Sequence, residues 1–513
     1  MKKILLFAAA VLAAFVICCK HSVRTDETAA KNAAIAVKGN LIMHNTYADF
    51  SKGTLTDTAV LEKGSGVIEL KKAADGSYPL TGIYESPEMG SDPFMYMVLS
   101  WNTDTPNGTS VKIEARVSVK GAWSKWLLIG TWSSTTDKSS AASSDQRGDD
   151  IAFVDTDTVT VKGKNGETAD KFHYRLTLMT GDKSVTPTVR LVAATFRNKL
   201  TGQEIKKIPE AGFSQEAIDA FTGTLNVKPY SQMIRDPQFN SLICSATSSC
   251  MTLDYKGVHI LPEMAAMGVL DTHYDGYGNW PFNAAFIASY GFESFIEYCA
   301  GLDDIKHELM MNNPVICSVR YKRDSKVKGN FPVVSAAPIE STPGHLLVVV
   351  GYEKDEDGKT YVIVNDPAAD DDDGVRRRYE EEQFSAAWGA SGRIAYKTHG
   401  KVNGAGGNAP VVEGASLAPT GNVRNSGTVN GVSQREYTIT GKTSGPVSVA
   451  KAVNLRNPNF ETGVSIVVWD DAKDAVHSYV KPTLDDNVWL NEDQADKTVY
   501  IFLKTGRYYK ARR

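Results

Sequence analysis

Three short stretches carry residues able to do covalent chemistry. The first is Cys244-Ser245-Ala246-Thr247-Ser248, running into apolar positions at Met251, Leu253 and Tyr255. The second is Gly344-His345, followed without a break by Leu346-Leu347-Val348-Val349-Val350-Gly351-Tyr352. The third is Tyr361-Val362-Ile363-Val364-Asn365-Asp366-Pro367. A thiol, an imidazole and a carboxylate supply a nucleophile, a base and a group to orient the base, which is what acyl transfer needs. The flanking residues say how they could meet. A polar start leading into apolar positions predicts a helix beginning at Cys244, where unpaired N–H groups and the helix dipole favour a thiolate. The run after His345 has no alternation and predicts a strand buried on both faces. Glu353 to Lys359 is charged and holds Asp357-Gly358, a hairpin turn signal, so the strands on either side should fold back antiparallel. His345 and Asp366 then lie side by side, within a residue or two of register.

Taken singly, each residue has a plainer reading. A Cys is most often a small buried hydrophobe. A His before an apolar strand can be a hydrogen-bonded core residue, and Asp-Pro after a strand is a common turn former. Their order and their neighbours favour catalysis. The neighbours resemble cysteine peptidase family thirty-nine, the bacteriocin-processing peptidases, in the broad branch found on secreted multidomain proteins. The matching pieces are Ser231-Gln232-Met233, the Cys244 stretch, Gly278-Asn279-Trp280-Pro281-Phe282-Asn283, Pro314-Val315-Ile316, Gly344-His345-Leu346, Val364-Asn365-Asp366-Pro367-Ala368 and Phe384 with Ala387-Trp388. They stand in the family's order. The resemblance implies a papain-like fold, with Cys244 as nucleophile, His345 as base and Asp366 as orienter. In one departure, the residue two after the nucleophile is usually Pro and here is Ala246; proline would pre-set the helix start.

An oxyanion would need two donors, the Cys244 backbone N–H and a Gln amide. Gln238 lies before Cys244 at the spacing usual in papain-like enzymes. Gln232 sits in the Ser-Gln-Met piece that resembles this branch, and the family match favours it.

The rest of the chain must position these groups. At 513 residues it is too long for one core and implies about three domains. A net charge of −4 with no basic stripe gives no case for nucleic acid. No Cys/His set has zinc spacing, and no cofactor is implied. The four acids Asp370 to Asp373 lack the spaced ligands of a calcium loop and read as a solvated loop. Cys250, Cys299 and Cys317 accompany the nucleophile, with no pairing deducible from spacing.

Residues 1–19 read as a lipoprotein-type signal: Lys2 and Lys3, then an apolar stretch from Ile4 to Ile17, then Cys18-Cys19. Cys19, preceded by the small Cys18, is the favoured site of lipid attachment over Cys18, which follows bulky Ile17. Residues 20–36 read as a tether. Residues 37–198 read as an all-β sandwich, jelly-roll-like; in Val111 to Val119 every odd position is apolar. Its clustered Trp101, Trp123, Trp126 and Trp132 could stack on a sugar ring, the plainer reading being that they fill the core. Residues 199–228 read as a linker, 229–400 as the papain-like domain and 401–420 as a second linker. Residues 421–513 read as a β-sandwich of immunoglobulin-like size, with a frayed basic end from Tyr508. The class is therefore multidomain α+β, a papain-like centre flanked by two β-sandwiches.

The function expected is an extracytoplasmic cysteine peptidase, acting on a peptide or protein substrate and held to a bacterial membrane by its N-terminal lipid. The alternatives are an inactive peptidase-like surface protein that binds glycan or peptide, and a cell-wall peptide amidase. Replacing Cys18 and Cys19 together by Ser should move the protein from the membrane pellet to the soluble fraction. Unchanged membrane association would refute the lipoprotein reading.

Overall fold

The alternation of Val111 to Val119 is realised as a strand, Thr109–Val119, with Val111, Ile113, Ala115 and Val117 buried and Lys112 and Arg116 partly exposed. The structure, a computed structural model, describes residues 40–512 apart from 64–65, 135–141, 144–147, 200–211, 238, 407–408, 410–411, 426–432, 449–465, 481–485, 495 and 504–507. Cys18, Cys19 and Gln238 lie outside the described residues. The Thr109–Val119 strand sits in an eight-stranded antiparallel sheet beside Leu127–Trp132 and Ala169–Thr180. A seven-stranded sheet built on Tyr96–Asp104 and Thr188–Arg197 completes the N-terminal sandwich. Side chains of both sheets, Leu99, Trp101, Ile113 and Leu176 among them, close one core. Trp101 and Trp132 are buried and meet the Phe282 ring of the next domain at 6.1 and 5.1 Å. Trp123 and Trp126 are half-buried, under the Arg116 guanidinium at 5.0 and 4.8 Å.

The central domain opens with three helices, α1 (Cys244–Tyr255), α2 (Pro262–Val269) and α3 (Trp280–Ser289). Then follow β1 (Phe292–Tyr298), α4 (Leu302–Met310), β2 (Val315–Lys322), β3 (Ser341–Lys354), β4 (Thr360–Asn365), β5 (Arg376–Glu380), α5 (Glu381–Ala390) and β6 (Ile394–Lys401). The strands form an antiparallel sheet in the order β1-β6-β2-β3-β4-β5. Residues Gly223–Thr224 pair with Tyr352 and Gly351, so the sheet takes in part of the stretch the sequence assigns to a linker.

The unbroken apolar run in β3 has its explanation here. Leu346, Val348 and Val350 join the core shared with α1 to α3, while Leu347 and Val349 join a second core with Leu309, Phe384 and Trp388 of α4 and α5. The β3–β4 hairpin turns at Gly358, with φ of 79°, and pairs Val348 with Asn365. Four elements escape the sequence reading: α2, α5, β1 and β5. Every residue of α2 is buried, so it shows no polar face to give a helical period.

The outer edge of β1 faces the N-terminal sandwich. An edge strand turns alternate N–H and C=O groups outward, where they can recruit another chain. Here polar side chains of the sandwich stand in for a further strand. Ser294 N donates to Asn102 Oδ1 at 3.1 Å and Asn102 Nδ2 donates to the Ser294 carbonyl at 2.5 Å. Ile296 N donates to Ser100 Oγ at 3.1 Å, and Tyr298 N to Thr195 Oγ1 at 3.0 Å. The Tyr298 carbonyl accepts from Asn40 Nδ2. All four sandwich side chains are buried.

After the central domain, Val412–Asn425 is a strand where the sequence reads a linker up to residue 420. The described C-terminal strands form one eight-stranded sheet rather than the two packed sheets expected. Tyr508–Arg512, expected as a frayed end, is an interior strand between Val412–Asn425 and Thr498–Phe502. Adjacent tyrosines and an alanine explain it: Tyr508 joins the main core, Tyr509 and Ala511 join the core of the C-terminal sheet, and Lys510 and Arg512 are exposed. The sheet closes over the central domain at a buried ion pair, Arg235 with Glu263 at 3.4 Å, where Tyr479 donates to Glu263 at 2.6 Å.

Asn102→Leu should leave the Ser294 N–H and C=O buried without partners. Each such group costs about 1–3 kcal/mol. Chemical denaturation should show a loss in that range or larger, and light scattering should show association through the uncovered edge. Unchanged stability would mean that this edge is not held by Asn102.

Candidate active site

Cys244 is the first residue of α1, and Ile243 before it offers no side-chain cap. The first-turn N–H groups are therefore left to whatever sits at the helix start. The polar residues after Cys244 are not a solvated face. Ser245, Ser248 and Ser249 are fully buried and bolt the helix down. Ser245 Oγ meets Tyr396 Oη of β6 at 3.0 Å, Ser248 Oγ donates to the Leu346 carbonyl of β3 at 3.3 Å, and Ser249 Oγ donates to Asn283 of α3 at 3.1 Å.

His345 lies in β3, paired in register with Val319, and is buried. Its Nε2 is 2.8 Å from Asp366 Oδ1, just past the end of β4. The same Oδ1 accepts from Ala368 N at 2.9 Å, and Oδ2 accepts from Tyr379 Oη at 2.7 Å and Tyr321 Oη at 3.5 Å. The Tyr321 ring stands edge-on to the imidazole, 6.2 Å between centroids. The Cys244 thiol, partly exposed, is hydrogen-bonded to His345. With Nε2 committed to Asp366, Nδ1 is the nitrogen left for sulfur.

Charges follow from this chain. Burial pulls His345 down, but the Asp366 charge and hydrogen bond, with Cys244 adding, push it up to about 10. Burial pushes the Cys244 thiol up; the hydrogen bond and charge of His345, with the N–H groups of Leu346 and Ser245, outweigh it and leave the thiol below its ordinary value. Burial raises Asp366, and His345, Tyr379 and Ala368 bring it below the usual carboxylate value. Both shifts act in the direction of a thiolate beside an imidazolium. A thiolate so placed is a ready nucleophile for a carbonyl carbon.

Residues 224–396 match the model of the Peptidase C39 like family, and residues 40–196 match that of the Peptidase C39 N-terminal domain. The chain carries a C39-like cysteine peptidase domain. Among curated proteins no match is found. Among solved structures, a recombinant stem bromelain precursor is similar at 14% identity and a TM-score of 0.27, covering 37% of this chain and 74% of that one. A xylan-binding domain from CBM 22 is similar at 11% identity and a TM-score of 0.17, covering 31% of this chain and 97% of that one.

In the peptidase domain Gln232 is buried and tied at both ends. Its N–H donates to the Pro367 carbonyl at 2.8 Å, and its Nε2 donates to the Asn240 carbonyl at 2.6 Å. Asn240 opens the turn Asn240–Leu242 that leads into Cys244. Gln232 thus bridges the loop after Asp366 to the approach to Cys244. Asp372, read from sequence as part of a solvated loop, is half-buried, and its Oδ1 accepts from Ser231 N at 2.6 Å. One acid of the run anchors the Gln232 segment. Among the described residues no group of three or more His, Cys, Asp or Glu could hold a metal ion. None of Cys244, Cys250, Cys299 and Cys317 is in a disulfide, and the last three are buried.

Sequence reasoning passed over Tyr321, Tyr379 and Asp372. A signal existed for the tyrosines: a buried Tyr needs a partner for its hydroxyl, and both sit in strands beside the hairpin that carries His345 and Asp366.

The pH dependence of thiol reactivity should report the Cys244–His345 pair. In the wild type, iodoacetamide labelling of Cys244 should already be substantial below the ordinary thiol value of about 8.5 and should fall only as pH drops through the lowered thiol value. His345→Ala should shift the rise to about 8.5 or higher, since burial then acts unopposed. A wild-type profile identical to that of His345→Ala would show that no ion pair forms.

Proposed function

We propose that the protein is a peptidase that cleaves peptide bonds through a thioester at Cys244. The Cys244 thiolate attacks the scissile carbonyl carbon, forming the C–S bond and moving the carbonyl π electrons onto oxygen. The Cys244 N–H and the Gln232 amide stabilise that oxyanion. As it collapses, the C–N bond breaks and imidazolium His345 hands its proton to the leaving amine. Water then attacks the thioester, His345 takes its proton, and the acid product leaves with the thiolate restored. Asp366 holds the imidazole in one tautomer throughout and stays ionised. The observation that carries this reading is the hydrogen-bonded run from Asp366 through His345 to a thiol at an uncapped helix start. The N-terminal sequence supports a site of action outside the cytoplasm, with the chain anchored through Cys19.

A quenched-peptide library incubated with the purified protein tests the reading. Wild type should cleave a subset of peptides and Cys244→Ala none. Asp366→Asn should lower kcat by roughly two to four orders of magnitude. Gln232→Ala should lower kcat by about 10²–10³-fold while sparing Cys244 labelling, because an oxyanion donor acts only on the tetrahedral intermediate. Cleavage that survives Cys244→Ala would overturn the mechanism. A wild type that labels slowly and cleaves nothing would leave a binding protein in its place.

A further inference from the structure

The loop Asp271 to Asn279 is held from the N-terminal sandwich and reaches the nucleophile's helix. It closes on itself where Asp271 N donates to the Gly276 carbonyl at 2.9 Å, with Asp275 in the left-handed region at φ of 52°. The Asp271 carboxylate is buried at its centre. Oδ1 accepts from His273 N at 3.1 Å and Tyr274 N at 3.2 Å, and Oδ2 from Asn279 Nδ2 at 2.9 Å. A third donor to Oδ1 comes from outside the domain: Ser143 N of the sandwich, at 2.9 Å. At the loop's far end Trp280 N, the first N–H of α3, donates to Asp157 Oδ2 of the sandwich at 2.9 Å. Asp157 is buried and also accepts from Thr158 Oγ1 at 3.0 Å. On the other side Asn283 Nδ2 donates to the Tyr277 and Asn279 carbonyls at 2.9 and 2.8 Å, and Asn283 Oδ1 accepts from Ser249 of α1. The loop is thus fixed between the sandwich and the helix that begins at Cys244.

One large side chain of this loop is turned out. Tyr274 is 48% exposed, and its ring lies so close over Gly276 that a Cβ there would stand 2.6 Å from it. Burial pushes the Tyr274 hydroxyl up, with the charges of Asp157, Cys244 and Asp271 adding. An exposed aromatic on a loop tied through Asn283 to the helix that begins at Cys244 offers apolar area and a hydroxyl to a passing peptide at small entropic cost.

We infer that the loop Asp271 to Asn279 is the substrate-facing wall beside Cys244, that Tyr274 meets the peptide, and that Asp157 of the N-terminal sandwich is a positioning residue for that wall. This rests on the peptidase reading above. It makes the sandwich a working part of the enzyme. Burial, with Asp155 and Asp271 adding, pushes the Asp157 carboxyl up to about 7, against the pull of Trp280 N and Thr158. An amide at this position is therefore a close stand-in, keeping an oxygen for Trp280 N.

The test uses the library peptide that the full-length wild type cleaves fastest, with iodoacetamide labelling alongside. Tyr274→Ala should raise KM roughly tenfold with kcat little changed. Asp157→Ala should lower kcat/KM by roughly tenfold or more, since small misplacements near the chemistry are costly. Asp157→Asn should stay within about twofold of wild type, and the double variant Asp157→Ala/Tyr274→Ala should lose no more than the worse single, because one residue acts through the other. Labelling of Cys244 should be unchanged in all. If Asp157→Ala does not fold, Ser143→Pro, which removes the N–H given to Asp271 and fixes φ in the short strand Ala142–Ser143, takes its place. A KM unmoved by Tyr274→Ala, or fully additive losses in the double variant, overturns the inference while wild-type cleavage stands. A wild type that neither cleaves nor labels sinks the peptidase reading, and this inference with it.

Discussion

The bond between His345 and Asp366 sets the terms for the central domain. A buried carboxylate is tolerated only when its lone pairs are taken up, and Asp366 has no exposure to water. Its partners come from four places: His345 on β3, Tyr321 on β2, Tyr379 on β5 and Ala368 in the following loop. The sheet order β2-β3-β4-β5 is what brings those groups to one point. In return the charge holds the imidazole protonated and its Nδ1 free for sulfur. The pair also ties stability to pH. Asp366, with its value lowered, contributes fully above its unfolded value of about 3.9. His345, with its value raised, contributes fully below its unfolded value of about 6.5 and loses that contribution as pH climbs towards about 10.

The parts of the site that were legible from sequence are those with local signatures. Cys244 opens a helix, and the run after His345 is a strand buried on both faces. The Asp357-Gly358 turn puts His345 within two residues of register with Asp366. What was not legible depends on contacts distant in the chain. Ser245, Ser248 and Ser249 read as a polar helix start because nothing local reveals that Tyr396, Leu346 and Asn283 wait for them. The strand β1 was missed because its period is blurred. Phe295 packs against Leu41 and Leu191 of the sandwich, Ile296 belongs to the main core, and Glu297 is buried by its pairing with Lys397 at 2.9 Å. The C-terminal sheet was read as a sandwich from strand number and spacing alone, which do not distinguish two packed sheets from one.

The flanking β units have different relations to the centre. The C-terminal sheet meets it at Arg235 and Glu263, with Trp469 5.7 Å from the guanidinium and Tyr479 on the carboxylate. A buried ion pair gains little unless its remaining hydrogen-bonding positions are filled, and Tyr479 fills one. Arg235 follows Gln232 by three residues, so this contact bears on the segment that approaches Cys244. The N-terminal sandwich meets the central domain at the start of α3, where Asp157 accepts from Trp280 N. Its tryptophans divide accordingly: Trp101 and Trp132 are spent on Phe282, whereas Trp123 and Trp126 stay half-buried beneath Arg116.

The side-chain covering of the β1 edge bears on how the chain is made. Synthesis runs from the N-terminus at about 5–20 residues per second, so the strands bearing Ser100, Asn102 and Thr195 leave the ribosome seconds before β1 does. All-β sandwiches, dominated by contacts distant in sequence, fold in milliseconds to seconds. The sandwich therefore has time to present its polar face before the strand that needs it emerges. The open edge of the peptidase sheet then meets a finished surface on its own chain before it can meet a neighbouring ribosome's product. The order of the two domains along the sequence thus acts as a guard against misassembly, one that the reverse order would not provide.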